Sequence, residues 1–192
     1  MQKHMLKWGV MLMIAVAAWI GWGTPQALAQ RARVPQTGQT TSYAEGDDGD
    51  FQAGVPFPTP RFKDNKNGTV TDNLTGLIWL KNSTCFTATW AEALTAANTL
   101  ADGQCSLMDK SRAGDWRLPN IKELLSLIDY NHSFPALPAD RPFSQAADNY
   151  WSSTTYARDP TQAWFIITGE DGNTNFTSKI ERRPVWPVRG GD

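Results

Sequence analysis

Residues 114–129 read GDWRLPNIKELLSLID, and this segment contains the strongest structural signal in the chain. Pro119 disfavours the helical conformation at Leu118, so we expect the backbone to stay extended up to that point. Asn120 can cap a helix, and Glu123 occupies the position that completes a capping box. The apolar residues that follow recur at helical spacing, namely Ile121, Leu124, Leu125 and Ile128. The segment therefore predicts an extended corner that turns into an amphipathic helix ending near Tyr130.

The extended part of this corner has one large apolar side chain, Trp116, between two charged residues. We expect Trp116 to be a core anchor, because burying an indole removes a large apolar area from water. Asp115 and Arg117 are expected to support the corner through hydrogen bonds or an ion pair, and Pro119 to set its direction. These residues predict structure more strongly than they predict function.

A helix is also predicted at residues 90 to about 101, because Thr89 and Glu92 form another capping box and apolar residues follow at helical spacing. Cys85 and Cys105 bracket this helix, and the chain has no other cysteine. A disulfide between them is the expected state in an oxidising compartment. Free thiols and a metal-binding pair are the alternatives.

Short apolar runs on both sides of the helices predict antiparallel strands. Asn67-Gly68 is a hairpin turn signal, and two strands are predicted after it, at residues 69–71 and 77–80. Further strands are predicted after the second helix, at residues 150–156, 163–168, 174–177 and 185–189. This order predicts an α+β domain in which two helices pack on a twisted antiparallel sheet.

The N-terminal residues have the features of a secretory signal peptide. Two lysines precede an apolar run from residue 8 to residue 22, and Ala27-Leu28-Ala29 matches a small-x-small cleavage site. We therefore predict a signal peptide at residues 1–29, a flexible leader at 30–42 and a single domain at 43–192. An uncleaved anchor helix is the alternative for the first segment. The mature protein is expected to be secreted, periplasmic or at the cell surface, without a membrane span.

The charge balance of the mature chain argues against one class of partner. Cleavage would remove Lys3 and Lys7 and no acidic residue. The remaining chain has 16 Lys and Arg residues against 19 Asp and Glu residues, a net charge of about −3. A slightly negative protein is not expected to bind nucleic acid, because that binding depends on neutralising phosphates.

Several motifs, in the same order, resemble one family of domains. The motifs similar to the N-terminal part of that family's domain are Arg61-Phe62, then NGTVTD at residues 67–72 and LTGLIW at residues 74–79. Its central signature resembles DWRLP at residues 115–119 with Glu123-Leu124. The rest resembles YWSSTT at residues 150–155, Ala163-Trp164 and WPVRG at residues 186–190. From about Thr37 onwards the chain is similar to the family typified by the C-terminal domain of Legionella collagen-like protein, a domain of unknown function.

The resemblance implies a fold similar to C-type lectin-like domains, in which N- and C-terminal strands pair and two helices flank a sheet. It also implies a binding role, because the collagen-like relative is a surface adhesin that binds sulfated polysaccharides through this domain. The first hypothesis is therefore a secreted, non-catalytic binding or adhesion module for carbohydrate or sulfated polysaccharide. The alternative is a structural or assembly component of an envelope complex, with a protein partner and no glycan specificity.

The candidate ligand-binding residues are aromatic or basic. Core packing is expected for each tryptophan after the signal peptide, that is Trp79, Trp90, Trp116, Trp151, Trp164 and Trp186. Tyr156 and Phe176 lie in or near predicted loops, so they are the aromatic residues that we expect to contact a sugar. Lys179, Arg182 and Arg183 form a basic cluster that can hold a sulfate or carboxylate group. A solvated loop is the alternative for this cluster.

An acidic segment is a candidate calcium site. Its carboxylates lie beside glycines, at Glu45, Asp47, Asp48 and Asp50. Ca²⁺ takes hard oxygen ligands, although the spacing here is not that of an EF-hand. A solvated acidic turn is the alternative, and no other cofactor is expected.

The sequence does not predict catalytic residues. His132, in a proline-rich loop, is the one histidine after the predicted signal peptide, so a Ser-His or Cys-His pair would have to use it. A remote alternative is an oxidase of the formylglycine-generating type, in which Cys85 and Cys105 would be a reactive pair. Their position around the predicted helix favours a structural disulfide instead.

Overall fold

A computed structural model describes residues 34–144 and 146–190. The predicted signal peptide at residues 1–29 lies outside the described residues, as do residues 30–33 of the predicted leader. Across the described ranges, no helix is both long enough and apolar enough to cross a membrane.

The described residues form short helices and short strands. The helices are α1 (Asp48–Phe51), α2 (Trp90–Thr99) and α3 (Ile121–Leu125). The strands are β1 (Phe62–Asp64), β2 (Thr69–Asp72), β3 (Ile78–Leu80), β4 (Phe86–Ala88), β5 (Asn149–Thr155), β6 (Gln162–Ile167), β7 (Thr174–Ser178), β8 (Arg183–Val185) and β9 (Val188–Arg189). The fold is therefore mixed, with few helices and several antiparallel sheets, which confirms the predicted α+β class at this level.

These strands form antiparallel sheets. The largest sheet has the order β1-β2-β3-β9, a second pairs β4 with β8, and a third has the order β5-β6-β7. In the largest sheet, Ile78 of β3 lies opposite Arg189 of β9, and Trp79 lies opposite Val188. The C-terminal part of the chain therefore returns to pair with its N-terminal strands.

Most predicted strands are confirmed, and one is divided. The strands predicted before the first long helix correspond to β2 and β3, and the hairpin predicted after the corner corresponds to β5 and β6. The last predicted strand, at residues 185–189, is two strands in different sheets, because β8 ends at Val185 and β9 begins at Val188. Pro187 lies between these two strands, where its lack of an N–H group removes no hydrogen bond from either sheet. The sequence does not predict β4 or α1.

The turn between β1 and β2 requires glycine at position 68, both for its backbone conformation and for its close approach to the loop after α2. Its φ is +84°, in the left-handed region, and a Cβ at this position would lie 2.3 Å from the carbonyl oxygen of Ser106. The backbone N–H of Met108 donates to the carbonyl of Asn67 at 2.9 Å. The predicted turn is thus packed against the loop that follows α2.

Helix α3 begins as predicted but ends earlier. The Asn120 side chain accepts from the N–H groups of Lys122 and Glu123, and the Asn120 N–H donates to Glu123, which completes the capping box. The prediction that the helix continues to Tyr130 is wrong, because α3 ends at Leu125. The N–H groups of residues 126–128 still donate to carbonyls three or four residues earlier in the chain. From Asp129 onwards the partners are distant in sequence, since the Asp129 N–H donates to Ala136 and the Tyr130 N–H donates to Thr37.

Helix α2 and the disulfide are both present as predicted from the sequence. The Thr89–Glu92 capping box is present, and the helix buries Ala93 and Ala97. Cys85 and Cys105 form a disulfide across this helix, with their Cα atoms 5.9 Å apart. Both flanks of the helix therefore fold back along it, because the helix is longer than that distance.

The core has two clusters of buried residues, and tryptophans are prominent in both. The larger cluster contains Trp79, Trp116 and Trp186, and the smaller one contains Trp151 between α2 and the β5-β6-β7 sheet. All four side chains have no exposed area. Their predicted core position is therefore confirmed.

The corner of residues 114–119 joins the largest sheet to α3. The Arg117 N–H donates to the Val188 carbonyl at 2.9 Å, and the Val188 N–H donates back to Arg117 at 2.9 Å. The Arg117 guanidinium also binds Glu123 through two hydrogen bonds of 2.7 Å and 2.6 Å. Asp115 accepts from the Arg112 N–H at 2.8 Å, and the carbonyl of the buried Pro119 accepts from the Ser153 N–H at 2.8 Å.

Residues 34–41 belong to the segment expected to be a flexible leader, and the structure gives them several partners. The Gln36 N–H donates to the Val55 carbonyl at 2.9 Å, and the Val55 N–H donates to the Val34 carbonyl at 2.9 Å. Thr37 accepts from Tyr130, as described above, and its hydroxyl donates to Asp48. The backbone of this segment is therefore held at several points on the domain.

We predict that Trp116→Ala will lower the free energy of unfolding by about 3–5 kcal/mol, because it leaves a cavity in the larger core cluster. The measurement is urea unfolding followed by circular dichroism. Met108→Ala is the control, because its side chain is 71 % exposed. A Trp116→Ala protein as stable as the wild type would contradict the anchoring role of this residue.

We also predict that replacing both Cys85 and Cys105 with serine will lower the free energy of unfolding by about 3 kcal/mol, because the disulfide restricts the unfolded chain. Thermal and urea unfolding of the double variant provide the comparison. Wild-type protein treated with a reducing agent should lose the same stability. Titration of two free thiols in the untreated protein would contradict the structural assignment.

Candidate functional site

The two faces of the β5-β6-β7 sheet have different surroundings. On one face, Ala163 and Phe165 are buried in the smaller core cluster, against α2. On the other face, Ile166 and Tyr150 are buried in the larger cluster. Trp164 belongs to the same face as Ile166, because side chains alternate along a strand, but it is only half-buried. One half of this second face is thus covered by the core, and the other half contains a partly exposed tryptophan.

Three aromatic residues form a cluster on the uncovered half of this face, and we call Tyr156, Trp164 and Phe176 the aromatic surface cluster. The rings of Tyr156 and Phe176 are stacked, with centroids 4.0 Å apart and an interplanar angle of 8°. The Trp164 ring meets both edge-on, at 5.5 Å from Tyr156 and 5.3 Å from Phe176. Phe176 is 37 % exposed, and the other two rings are half-buried.

Strand register and one tight turn bring these rings together. Trp164 lies directly opposite Phe176 in the β6-β7 pair. Tyr156 follows β5, and its N–H donates to the Gln162 carbonyl at 3.0 Å. The Asp159 carboxylate closes the intervening turn by accepting hydrogen bonds from Thr161 and Gln162, which hold the pKa of Asp159 below its ordinary value.

The structure does not bring the predicted basic residues to this cluster. The Lys179 ammonium lies 3.8 Å from the ring centroid of Trp90 and donates to the Thr155 hydroxyl at 2.9 Å. The Arg182 guanidinium binds Glu92 at 2.8 Å and also donates to the Thr87 carbonyl. Both cations therefore face α2 and β4, on the side of the sheet opposite to the aromatic surface cluster.

Arg183 is also used inside the domain. Its guanidinium lies 3.6 Å from the ring centroid of Phe165, and it donates to the Asn149 side chain at 2.9 Å. Burial lowers the pKa of Arg183 from its ordinary value. The prediction that Lys179, Arg182 and Arg183 bind an anion stays a prediction, and each of these cations already has a partner in the domain.

The acidic segment is a capped turn. Asp47 caps α1 by accepting from the Asp50 N–H, and it also accepts from the Tyr43 N–H, which is the main reason that the pKa of Asp47 is lowered. Asp48 accepts from Thr37, and Asp50 accepts from the Gly46 N–H. Within residues 34–144 and 146–190, no group of three or more His, Cys, Asp or Glu side chains is placed to hold a metal ion. The arrangement does not support the candidate calcium site at Glu45, Asp47, Asp48 and Asp50.

The residues considered for catalysis have structural partners. The imidazole Nε2 of His132 lies 3.6 Å from a carboxylate oxygen of Asp129. Cys85 and Cys105 are joined to each other, and no free cysteine is found in the described part of the chain. His132 thus contacts a carboxylate, and the two cysteines form a cross-link.

Sequence reasoning selected Tyr156 and Phe176 but did not place Trp164 beside them. Trp164 and Trp90 are half-buried, which differs from the core position expected for every tryptophan. One sequence feature could have indicated that Trp164 is partly exposed. Gln162 on β6 and Ser178 on β7 are polar and lie on the same face of the sheet as Trp164. Polar residues on the same face indicate that this part of the sheet is open to water.

We predict that about 5 mM Ca²⁺ will not change the melting temperature, because Asp47, Asp48 and Asp50 already accept hydrogen bonds from within the domain. The measurement is thermal unfolding with Ca²⁺, with Mg²⁺ and with a chelator. Asp47→Asn is the comparison variant and should lower stability equally in all three solutions. A melting temperature raised by Ca²⁺ alone would contradict this reading of the segment.

The comparisons with known proteins identify the family. A search of curated proteins found no match. The family described as the Lcl C-terminal domain matches residues 68–189, which is more than half of the chain. The matched segment contains the strands from β2 to β9, helices α2 and α3, the corner and the aromatic surface cluster. The chain therefore belongs to the Lcl C-terminal domain family.

Proposed function

We propose that this protein is an exported, non-catalytic binding module that contacts extracellular carbohydrate through the aromatic surface cluster. The observation that carries the proposal is the grouping of Tyr156, Trp164 and Phe176 on one partly exposed sheet face. A folded protein gains stability by burying such rings, so their exposure together marks a surface that another molecule can cover.

The chemistry of aromatic rings makes carbohydrate the preferred ligand class. The face of an aromatic ring is the negative side of its quadrupole, and it attracts the weakly positive C–H groups on the flat side of a sugar ring. Hydroxyl groups around the rim of a sugar need hydrogen-bonding partners. Gln162 and Ser178 provide amide and hydroxyl groups next to the rings, at register positions on the same face.

The proposal includes a C-type lectin-like fold. Two features support this finer description: β3 pairs with β9 near the C-terminal end of the described chain, and α2 and α3 flank the sheets. It also includes export, with residues 1–29 as the signal peptide. The disulfide supports export, because disulfides persist in oxidising compartments.

A structural or assembly role in the cell envelope is the second candidate. The observation that favours it is a set of exposed large apolar side chains that are not part of the aromatic surface cluster, namely Val34, Tyr43, Phe51, Met108, Tyr130, Phe134 and Ile180. Exposed apolar residues of this kind are common in surfaces that bind other proteins. The oxidase alternative has weaker support, because the two cysteines it would need are joined across α2.

A glycan array probed with the mature protein tests the proposed function. We predict binding at about 150 mM salt, and roughly tenfold weaker binding by Tyr156→Ala and Phe176→Ala, because each substitution removes a ring from the cluster. Tyr43→Ala and Phe51→Ala are matched controls, since both residues are exposed elsewhere and should leave binding unchanged.

Two outcomes would decide against carbohydrate binding at this surface. Arrays without signal, together with envelope proteins that copurify with the tagged protein, would favour the assembly role. Glycan binding that all four variants retain would place the sugar site elsewhere on the domain.

A further inference from the structure

We propose that the ligand of the aromatic surface cluster is an uncharged polysaccharide and not a sulfated or carboxylated one. This inference rests on the proposed function, because it names the ligand class of the same surface. It is carried by the register of β6 and β7 and by the positions of the cations around the sheet.

The strand positions that share a face with the cluster contain no charged residue. Trp164 is opposite Phe176, so the neighbouring positions on the same face are Gln162 and Ile166 on β6, and Ser178 and Thr174 on β7. Each of these four side chains is uncharged. The rings therefore have only amide, hydroxyl and aliphatic neighbours along the two strands.

A sulfated polymer needs cations that are free to pair with its sulfate groups. Lys179, Arg182 and Arg183 are the basic residues closest in sequence to Phe176, and all three make their contacts on the opposite side of the sheet. Moving Lys179 to the aromatic face would break its contacts with Trp90 and Thr155. None of these three cations is therefore positioned to pair with a sulfate group at the aromatic surface cluster.

The turn between β5 and β6 adds no net charge to the surface. Arg158 and Asp159 lie in this turn, next to Tyr156, and their charges are opposite. The Asp159 carboxylate is occupied by Thr161 and Gln162. An uncharged polysaccharide can bury its apolar ring faces here without removing an ionic group from water, which would cost free energy.

The test compares polymers that have the same backbone with and without sulfate. Dextran and hydroxyethyl cellulose are paired with dextran sulfate and cellulose sulfate, and arabinoxylan is added as another uncharged polymer. Each polymer is immobilised, and the mature protein is passed over it at about 50 mM and about 500 mM NaCl, a range over which salt strongly screens charges.

We expect at least one uncharged polymer to bind, with an affinity that changes less than about twofold across this range of salt. Phe176→Ala and Tyr156→Ala should weaken that binding by about tenfold. Arg158→Ala and Arg182→Ala should leave it unchanged, because no ion pair with the ligand is lost. Melting temperatures of all four variants establish that they are folded.

Binding of the sulfated polymers alone, lost at the higher salt, would overturn this inference while leaving the proposed function in place. Binding to an uncharged polymer that Phe176→Ala and Tyr156→Ala do not weaken would overturn the assignment of this surface. No binding to any polymer would overturn both the inference and the proposed function.

Discussion

The packing of Trp186 is the interaction on which the rest of the domain depends. Trp186 lies in the short link between β8, which pairs with β4, and β9, which pairs with β3. Its side chain has no exposed area, and its indole N–H donates to the Leu80 carbonyl at 2.9 Å. Its ring contacts those of Trp79, Tyr150 and Phe143, at centroid distances of 5.4 Å, 4.8 Å and 4.6 Å. One side chain thus connects strands from the beginning, the middle and the end of the described chain.

The corner at residues 114–119 depends on that connection. Arg117 exchanges backbone hydrogen bonds with Val188, which β9 holds beside β3. The Arg189 guanidinium lies 4.9 Å from the ring centroid of Trp116 and pairs with the buried Asp109 at 3.0 Å. The corner therefore needs the C-terminal strand to be in place, which gives a physical reason for these motifs to occur together in one domain.

The division between core and surface explains the character of the candidate site. The larger core cluster and the smaller one use four of the six tryptophans in the described residues as buried anchors. The cations near the C-terminus are likewise used to hold α2 and β4 to the sheet. What remains on the open half of the β5-β6-β7 sheet is aromatic and uncharged. The surface available for a ligand is thus determined by which side chains the core has already used.

The amino-acid sequence by itself determined the features that depend on near neighbours in the chain. The capping boxes at Thr89 and Asn120, the Asn67-Gly68 turn and the alternating strand patterns each involve residues within a few positions of one another, so local conformational preference is enough to predict them. The disulfide could also be predicted from the sequence, because Cys85 and Cys105 are the two cysteines of the chain and allow a single pairing.

Only the tertiary structure decided the end of α3, the exposure of Trp164 and the partners of the basic residues. Helix α3 ends at Leu125, and a few residues later the N–H groups of Asp129 and Tyr130 donate to the distant carbonyls of Ala136 and Thr37. Trp164 joins Tyr156 and Phe176 because strand register aligns them, and register depends on contacts between segments that are distant in sequence. The location of the candidate site could therefore be predicted only in part, because a local pattern does not specify which face of a sheet the core will cover.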